Sequence, residues 1–383
     1  MEMRVLYVMK RFHTNHFFAL KALRNRGHDV HMFVQTLGRL EDHSVVLPQR
    51  LPPSRLNVFY MPILKLLGLS KARARYELPS ITAMVREMRR INPDVVILKK
   101  MRVHSKLASL VALLQRRDRI LFSHAPMVRS QRKMPNLNLR GLGLTPGKRY
   151  STISGVAGPD KPLSYAGVYH IPLPVEPPAL EPPPRPLDPG CIKLLCVGKY
   201  EMVRKRQELL LEIFADLSRK CPIMLTFAGS GSTDGVRLRA LKKQCETAGL
   251  QDRVSFLLNL PYQEMLRTYL EHDVLALPAR DEPYGMVVLE AMAYGMPVIC
   301  SDSCGSRDCL EVGVNGEIYR TDDVTSFRKA VESIVSDPER LRSMGRQSLR
   351  IVQQRHTPAQ YHDRLLNLVW ADKIGNQGKP VNL

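Results

Sequence analysis

The stretch that decides the fold reads DEPYGMVVLEAMAYGMPVICSD, residues 281–302. Two glutamates, Glu282 and Glu290, stand eight positions apart, with Pro283 and Gly285 just after the first. The apolar run 286–293 predicts a helix ending at Tyr294, with Gly295 as its stop. DVLALP (273–278) before it and PVICSD after it read as buried strands. A strand, a tight turn, a short helix and a second strand make one step of a parallel sheet. Ligands of such sheets bind outside the carboxyl ends of the strands. The N–H groups of Gly285, Met286 and Val287, at the helix start, therefore suit a phosphate. Eight residues of helix span about 12 Å. That separation does not fit the ~5 Å carboxylate pair of a retaining glycosidase. It fits carboxylates that grip the two ends of an elongated ligand.

Working outward, the same alternation fills the chain. RVLYV (4–8), GHDVHMF (27–33), DVVILK (94–99) and RILFS (119–123) read as strands separated by helical patterns. IPLPVEPPALEPPPRPLDPG (171–190) then forbids both helix and central strand, and reads as a stiff spacer. After it, IKLLCVG (192–198), IMLTFAG (223–229) and RVSFL (253–257) restart the alternation. The expected architecture is α/β, two doubly wound Rossmann-like domains facing across a cleft. The domains are 1–175 and 191–355, joined by a linker at 176–190. HTPAQYHDRLLNLVW has Thr357 as N-cap and Pro358 at the first helical position.

Composition narrows the class. A chain of 383 residues suits two domains, and 44% hydrophobic residues suit a globular protein. No apolar run approaches the roughly 18–20 residues that span a bilayer. MEMRVLYVMKRFH reads as a first strand, not a signal peptide. Seven cysteines at irregular spacing argue for a reducing, cytoplasmic compartment. Cys300, Cys304 and Cys309 match no usual zinc spacing and read as small apolar packing. The net charge is +21, and residues 65–150 hold 20 Lys/Arg against four acids, a local +16. That field attracts an anionic partner: a membrane surface, a phosphorylated substrate or nucleic acid. MPILKLLGLSKARARYEL (61–78) mixes apolar and basic residues and reads as an anionic-membrane contact or as a helix packed on the sheet. Pro62 and Gly68 predict a loop plus a short helix there, not one regular helix.

EPYGMVVLEAMAYGMPVI closely resembles the signature of family 4 retaining glycosyltransferases of the GT-B fold. The likeness covers residues 190–320 well and the first 35 loosely. It implies transfer of a hexose-type sugar from a nucleotide-diphosphate-sugar to an acceptor held by the first domain. In LLCVGKYEMVRKRQ, after Gly198, it implies that Lys199 and Lys205 hold the donor diphosphate. Lys199 stands where the family usually has Arg, so it lacks the bidentate fork. The resemblance implies Glu282 on the sugar hydroxyls, Glu290 on the ribose, and Asn259, in LLNLPYQEM, near the nucleobase. His124, ending the strand in LFSHAP, matches a His that contacts the donor sugar, and a structural hydrogen-bonder is the alternative. Where the family carries a Gly-Gly loop, this chain has KRFHTNHFF, so His13, Asn15 or His16 replaces backbone contacts to phosphate or acceptor. Cys304 and Asp308 likewise replace a Gly and a Glu of the family pattern. The helix 356–383 is expected to cross back to the first domain.

There is no Asp-any-Asp in the chain, so no metal or other cofactor is expected. Charge neutralisation falls to Lys199, Lys205 and the helix dipole. The resemblance implies a front-face reaction, and the basic segment adds the expectation of a lipid-linked phosphate acceptor at the inner membrane face, as in polysaccharide biosynthesis. A GT-B sugar-nucleotide epimerase is the alternative enzyme. A basic nucleic-acid-binding protein is the alternative outside enzymes, disfavoured by few aromatics for base stacking.

Overall fold

The computed structural model describes residues 2–12, 14–37, 42–66, 78–99, 103–123, 150–154, 156–158, 161–162, 168–178 and 191–370. His13, His124, the linker from 179 and the basic stretch 67–77 lie outside them. Contacts divide the chain into two units. The first comprises 1–157, 162–174 and 358–383; the second comprises 158–161 and 175–357.

In the first unit seven strands run in the order Gln49–Arg50, Asp29–Val34, Arg4–Met9, Val95–Lys99, Asp118–Ser123, Tyr150–Thr152, Val168–His170. Every pairing is parallel, so each strand is fed by a crossover. Strand order reverses between Arg4–Met9 and Val95–Lys99, which pair with Val5 opposite Val95. Helix Ile81–Ile91 begins where Ser80 Oγ accepts from Ala83 N at 3.2 Å, and ends at left-handed Asn92. It buries Ala83, Met84, Met88 and Ile91 on the sheet and leaves its arginines in water.

Helix Asn57–Leu66 runs through Pro62, and the rest of the stretch expected to hold a loop plus a short helix, 67–77, lies outside the described residues. Pro62 removes the N–H that would reach residue 58. The Asn57 amide accepts from Leu78 N at 3.0 Å and donates to Leu78 O at 2.9 Å.

Helix Pro358–Trp370 belongs to the first unit and packs on helix Phe17–Asn25. Buried Tyr7 and Tyr361 share a hydroxyl contact of 3.0 Å. Met3 N donates to His28 Nδ1 at 3.1 Å, so His28 carries its proton on Nε2, 3.0 Å from His362 Nε2. His362 Nδ1 in turn donates to Asp363 at 2.9 Å. With its Nδ1 accepting, His28 is neutral.

The second unit is a six-stranded parallel sheet in the order Val254–Leu258, Ile223–Gly229, Ile192–Val197, Val274–Leu277, Val298–Ser301, Gly316–Tyr319. Its core joins Leu194, Phe214, Phe227 and Ile299 to Phe327 and Ile334 of helix Val324–Val335. Order reverses between Ile192–Val197 and Val274–Leu277. The turns leaving those two strands are Gly198–Lys205 and Pro278–Gly285, the segments singled out by sequence.

Candidate active site

The two turns are tied at the switch point, where a doubly wound sheet opens a crevice. Arg280 N donates to Arg204 O at 2.7 Å. The second turn is pinned from behind: Gly305 N donates to Glu282 O and Ser306 N to Tyr284 O. Gly285 adopts φ +83, the left-handed region, and starts helix Met286–Ala293. A Cβ there would crowd Glu282 Cγ, Cys304 Sγ and Leu277 Cδ2 at 3.2–3.3 Å, so Gly fits both the turn and the space.

Glu282 is 6% exposed. Its Oε2 lies 2.8 Å from Lys205 Nζ and 3.0 Å from Arg204 Nη1. The contacts are close but poorly aligned: neither Glu282 Oε2 nor Arg204 Nη1 has a well-directed hydrogen bond. The charges are compensated by proximity. Lys205 is 8% exposed, and its stem runs beside Gly198, where a Cβ would stand 2.9 Å from Lys205 Cδ.

Glu290, one helix length away, accepts from Tyr269 Oη at 2.7 Å. Burial raises its carboxyl above the usual range, while the Tyr269 bond and the field of Lys205 pull it down. Burial and the Glu290 charge raise the phenol of Tyr269 in turn. Lys205 thus acts electrostatically on both glutamates. Met286 is buried and Val287 half-buried at the helix start.

The other sequence candidates fall elsewhere. Lys199 is exposed and makes no ion pair among the described residues; Arg204 takes the second place beside Glu282. Nothing in the sequence singles out Arg204, because three cations in a row, VRKR, do not show which turns inward. Asn259 is exposed at φ 54, and its amide exchanges two hydrogen bonds with the Gly231 backbone, 3.1 and 3.0 Å. It fixes the Gly-rich turn after Ile223–Gly229. In the first unit Asn15 is exposed and His16 is buried at 1%. Cys300, Cys304 and Cys309 are free thiols packed behind the Glu282 turn. No group of three or more His, Cys, Asp or Glu able to hold a metal occurs among the described residues.

Residues 182–350 match the family described as Glycosyl transferases group 1. The D-inositol 3-phosphate glycosyltransferase of Nocardia farcinica is 29% identical over 163 residues, 42% of this chain and 36% of that protein. A GDP-mannose-dependent alpha-(1-6)-phosphatidylinositol monomannoside mannosyltransferase of Mycolicibacterium smegmatis is 29% identical over 40% of this chain and 41% of its own. The match thus spans well under half the length of these relatives. Solved structures extend the likeness of fold to the whole chain. A glycosyltransferase from Rickettsia africae superposes with TM-score 0.72 at 13% identity, over 98% of this chain and 100% of the other. Anabaena Alr3699/HepE, solved in complex with UDP, gives TM-score 0.69 at 14% identity over 96% and 100%. The chain therefore has the two-domain GT-B fold, and the segment that carries Lys205, Glu282 and Glu290 aligns with the group 1 glycosyltransferases.

Proposed function

We propose that the chain is a retaining glycosyltransferase that moves a hexose-type sugar from a nucleotide-diphosphate-sugar to an acceptor held by the first unit. One observation carries this reading. A buried carboxylate, Glu282, is held between two cations at the start of a helix, with Glu290 in the field of one of them. The helix start and the cations suit a diphosphate. Lys205 and Arg204 would turn from Glu282 to the phosphate oxygens as negative charge grows on the leaving group. Glu282, so released, accepts hydrogen bonds from sugar hydroxyls, and Glu290 from the ribose. The departing phosphate takes the acceptor proton on the same face. Two cations supply the neutralisation, so the reaction needs no divalent metal.

The test is calorimetric binding of UDP and GDP in EDTA, then transfer from the matching sugar nucleotides with NMR assignment of the product anomer. Retention without metal is expected. Binding of neither nucleotide, or inversion, overturns the reading, and release of an epimerised sugar without acceptor would favour an epimerase.

A lipid-linked acceptor at a membrane surface is the second part of the proposal. Val58, Phe59, Ile63 and Leu66 are 57–88% exposed on helix Asn57–Leu66. Their spacing sets them on one face. The sequence continues into Lys71, Arg73 and Arg75, the composition of an interfacial anchor. Among the described residues no helix is long and apolar enough to cross a membrane.

A further inference from the structure

The first sheet has its own switch point, between Arg4–Met9 and Val95–Lys99. The residue that ends the second of those strands is Lys99, and the short helix after the first, Thr14–His16, ends in His16. The two meet there: Lys99 Nζ is 3.2 Å from His16 Nε2. His16 is 1% exposed and stands edge-on to Phe122, ring centroids 5.4 Å apart. Ser105 Oγ donates to Lys99 O at 3.0 Å and holds the strand end in place.

Among the described residues Lys99 has no countercharge. It makes no ion pair among the described residues, and His16 is its one side-chain partner there. The acids of the flanking strands lie at the opposite edge. Asp94 accepts from Arg4 N at 2.7 Å, and Asp118 opens its strand opposite Val95. An ammonium group brings three N–H donors, and among the described residues one is used. A desolvated cation with unused donors is unfavourable to keep unless something anionic fills the place. Burial alone lowers the Lys99 amine to about 7, so it is poised between charged and neutral near physiological pH. In doubly wound sheets, the switch point is where ligands bind.

We propose that Lys99 and His16 form a receptor for a phosphoryl group carried by the acceptor. Lys99 supplies the charge and His16 orients its ammonium by accepting one hydrogen bond. The word acceptor rests on the glycosyltransferase reading above; the anion site itself does not.

The experiment follows the lysine Cε resonances of the ¹³C-lysine-labelled full-length chain. It is run in a Lys205→Met background, which removes the buried lysine of the second unit, and UDP binding is measured with Lys205 in place. Lys99 is the signal lost in Lys99→Arg. Its titration midpoint is measured in chloride, inorganic phosphate, a hexose 6-phosphate, phosphatidic-acid vesicles and UDP. Phosphate monoesters should raise the midpoint by at least about one unit, equivalent to tenfold tighter binding to the charged form. A shift with the hexose phosphate assigns a soluble acceptor, and one confined to vesicles assigns a lipid one. Lys99→Met should abolish phosphate-dependent stabilisation while melting no lower than its parent, since an uncompensated charge has left the interior. His16→Asn should weaken phosphate binding and leave UDP binding intact. An unchanged midpoint in every monoester, a shift with UDP alone, or phosphate stabilisation persisting in Lys99→Met overturns the proposal. Failure of UDP to bind the chain with Lys205 in place, while phosphate still moves Lys99, would overturn the donor reading and leave this site standing.

Discussion

Replacing Lys205 by Met takes one of two cations from a carboxylate whose side chain is 8% exposed. Removing one partner of a buried ion pair typically costs about 3–5 kcal/mol. Arg204 stays 3.0 Å from the same oxygen, with a third of its side chain in water, and retains part of the compensation. The expected loss is therefore about 2–3 kcal/mol, or roughly 5–10 °C in Tm for a domain of this size. Glu282→Gln leaves the opposite charge exposed to the same penalty. The double variant Lys205→Met/Glu282→Gln removes both charges and should regain most of the stability. Activity should not follow. Each single variant should lose about 10²–10³ in transfer rate, because each removes a group aimed at the reacting ligand. The double variant should be as slow as the slower single one. Scanning calorimetry and initial rates on the four proteins complete the cycle. If Lys205→Met melts with the parent, or the double variant is less stable than both singles, the buried pair is not what holds these turns. If the double variant transfers sugar at the parent rate, the pair is structural and the site lies elsewhere.

Tyr269→Phe should cost about 1.5–3 kcal/mol at pH 8, because it deletes a hydrogen bond to ionised Glu290. The folded pKa of Glu290 is raised, so its contribution is greatest in acid and is lost as pH rises from about 4.5 through the folded value. The deficit of Tyr269→Phe should accordingly shrink as pH falls through the folded value in urea titrations; a deficit that is the same at every pH refutes the assignment. His28 is lowered by burial and by His362, with the amino terminus opposing and Glu2 favouring its charge. Its folded value lies below the unfolded one, so stability should fall as pH drops below about 6.5. Melts from pH 7.5 to 5 should show that slope, and His28→Gln should flatten it; identical slopes would sink the idea. Phe59→Asp with Ile63→Asp should abolish flotation with anionic vesicles and leave UDP affinity unchanged. Indifference of the parent to anionic vesicles at low salt would instead point to a soluble acceptor.

What the sequence by itself determined is local. Period-two apolar runs and their Gly and Pro boundaries are set by backbone sterics, so strands such as Ile223–Gly229 and helices such as Ile81–Ile91 and Tyr262–Glu271 are legible without tertiary context. The spacing of Glu282, Gly285 and Glu290 marked the site for the same reason. Helix Asn57–Leu66 is less legible, because it runs through Pro62 and its start is held by Asn57 contacts with Leu78, distant in sequence. Strands as short as Gln49–Arg50 and Val168–His170 exist through their neighbours and carry no pattern of their own. Among charged residues the limit is sharper. Lys199, Arg204 and Lys205 are alike as letters, and burial turns two of them toward Glu282 while the first stays in water. Lys99 and His16 are 83 positions apart and meet because parallel pairing brings the carboxyl ends of two strands to one edge. Long-range register and the desolvation that follows from it decide which ionisable groups become a site, and neither is encoded in any single stretch of the chain.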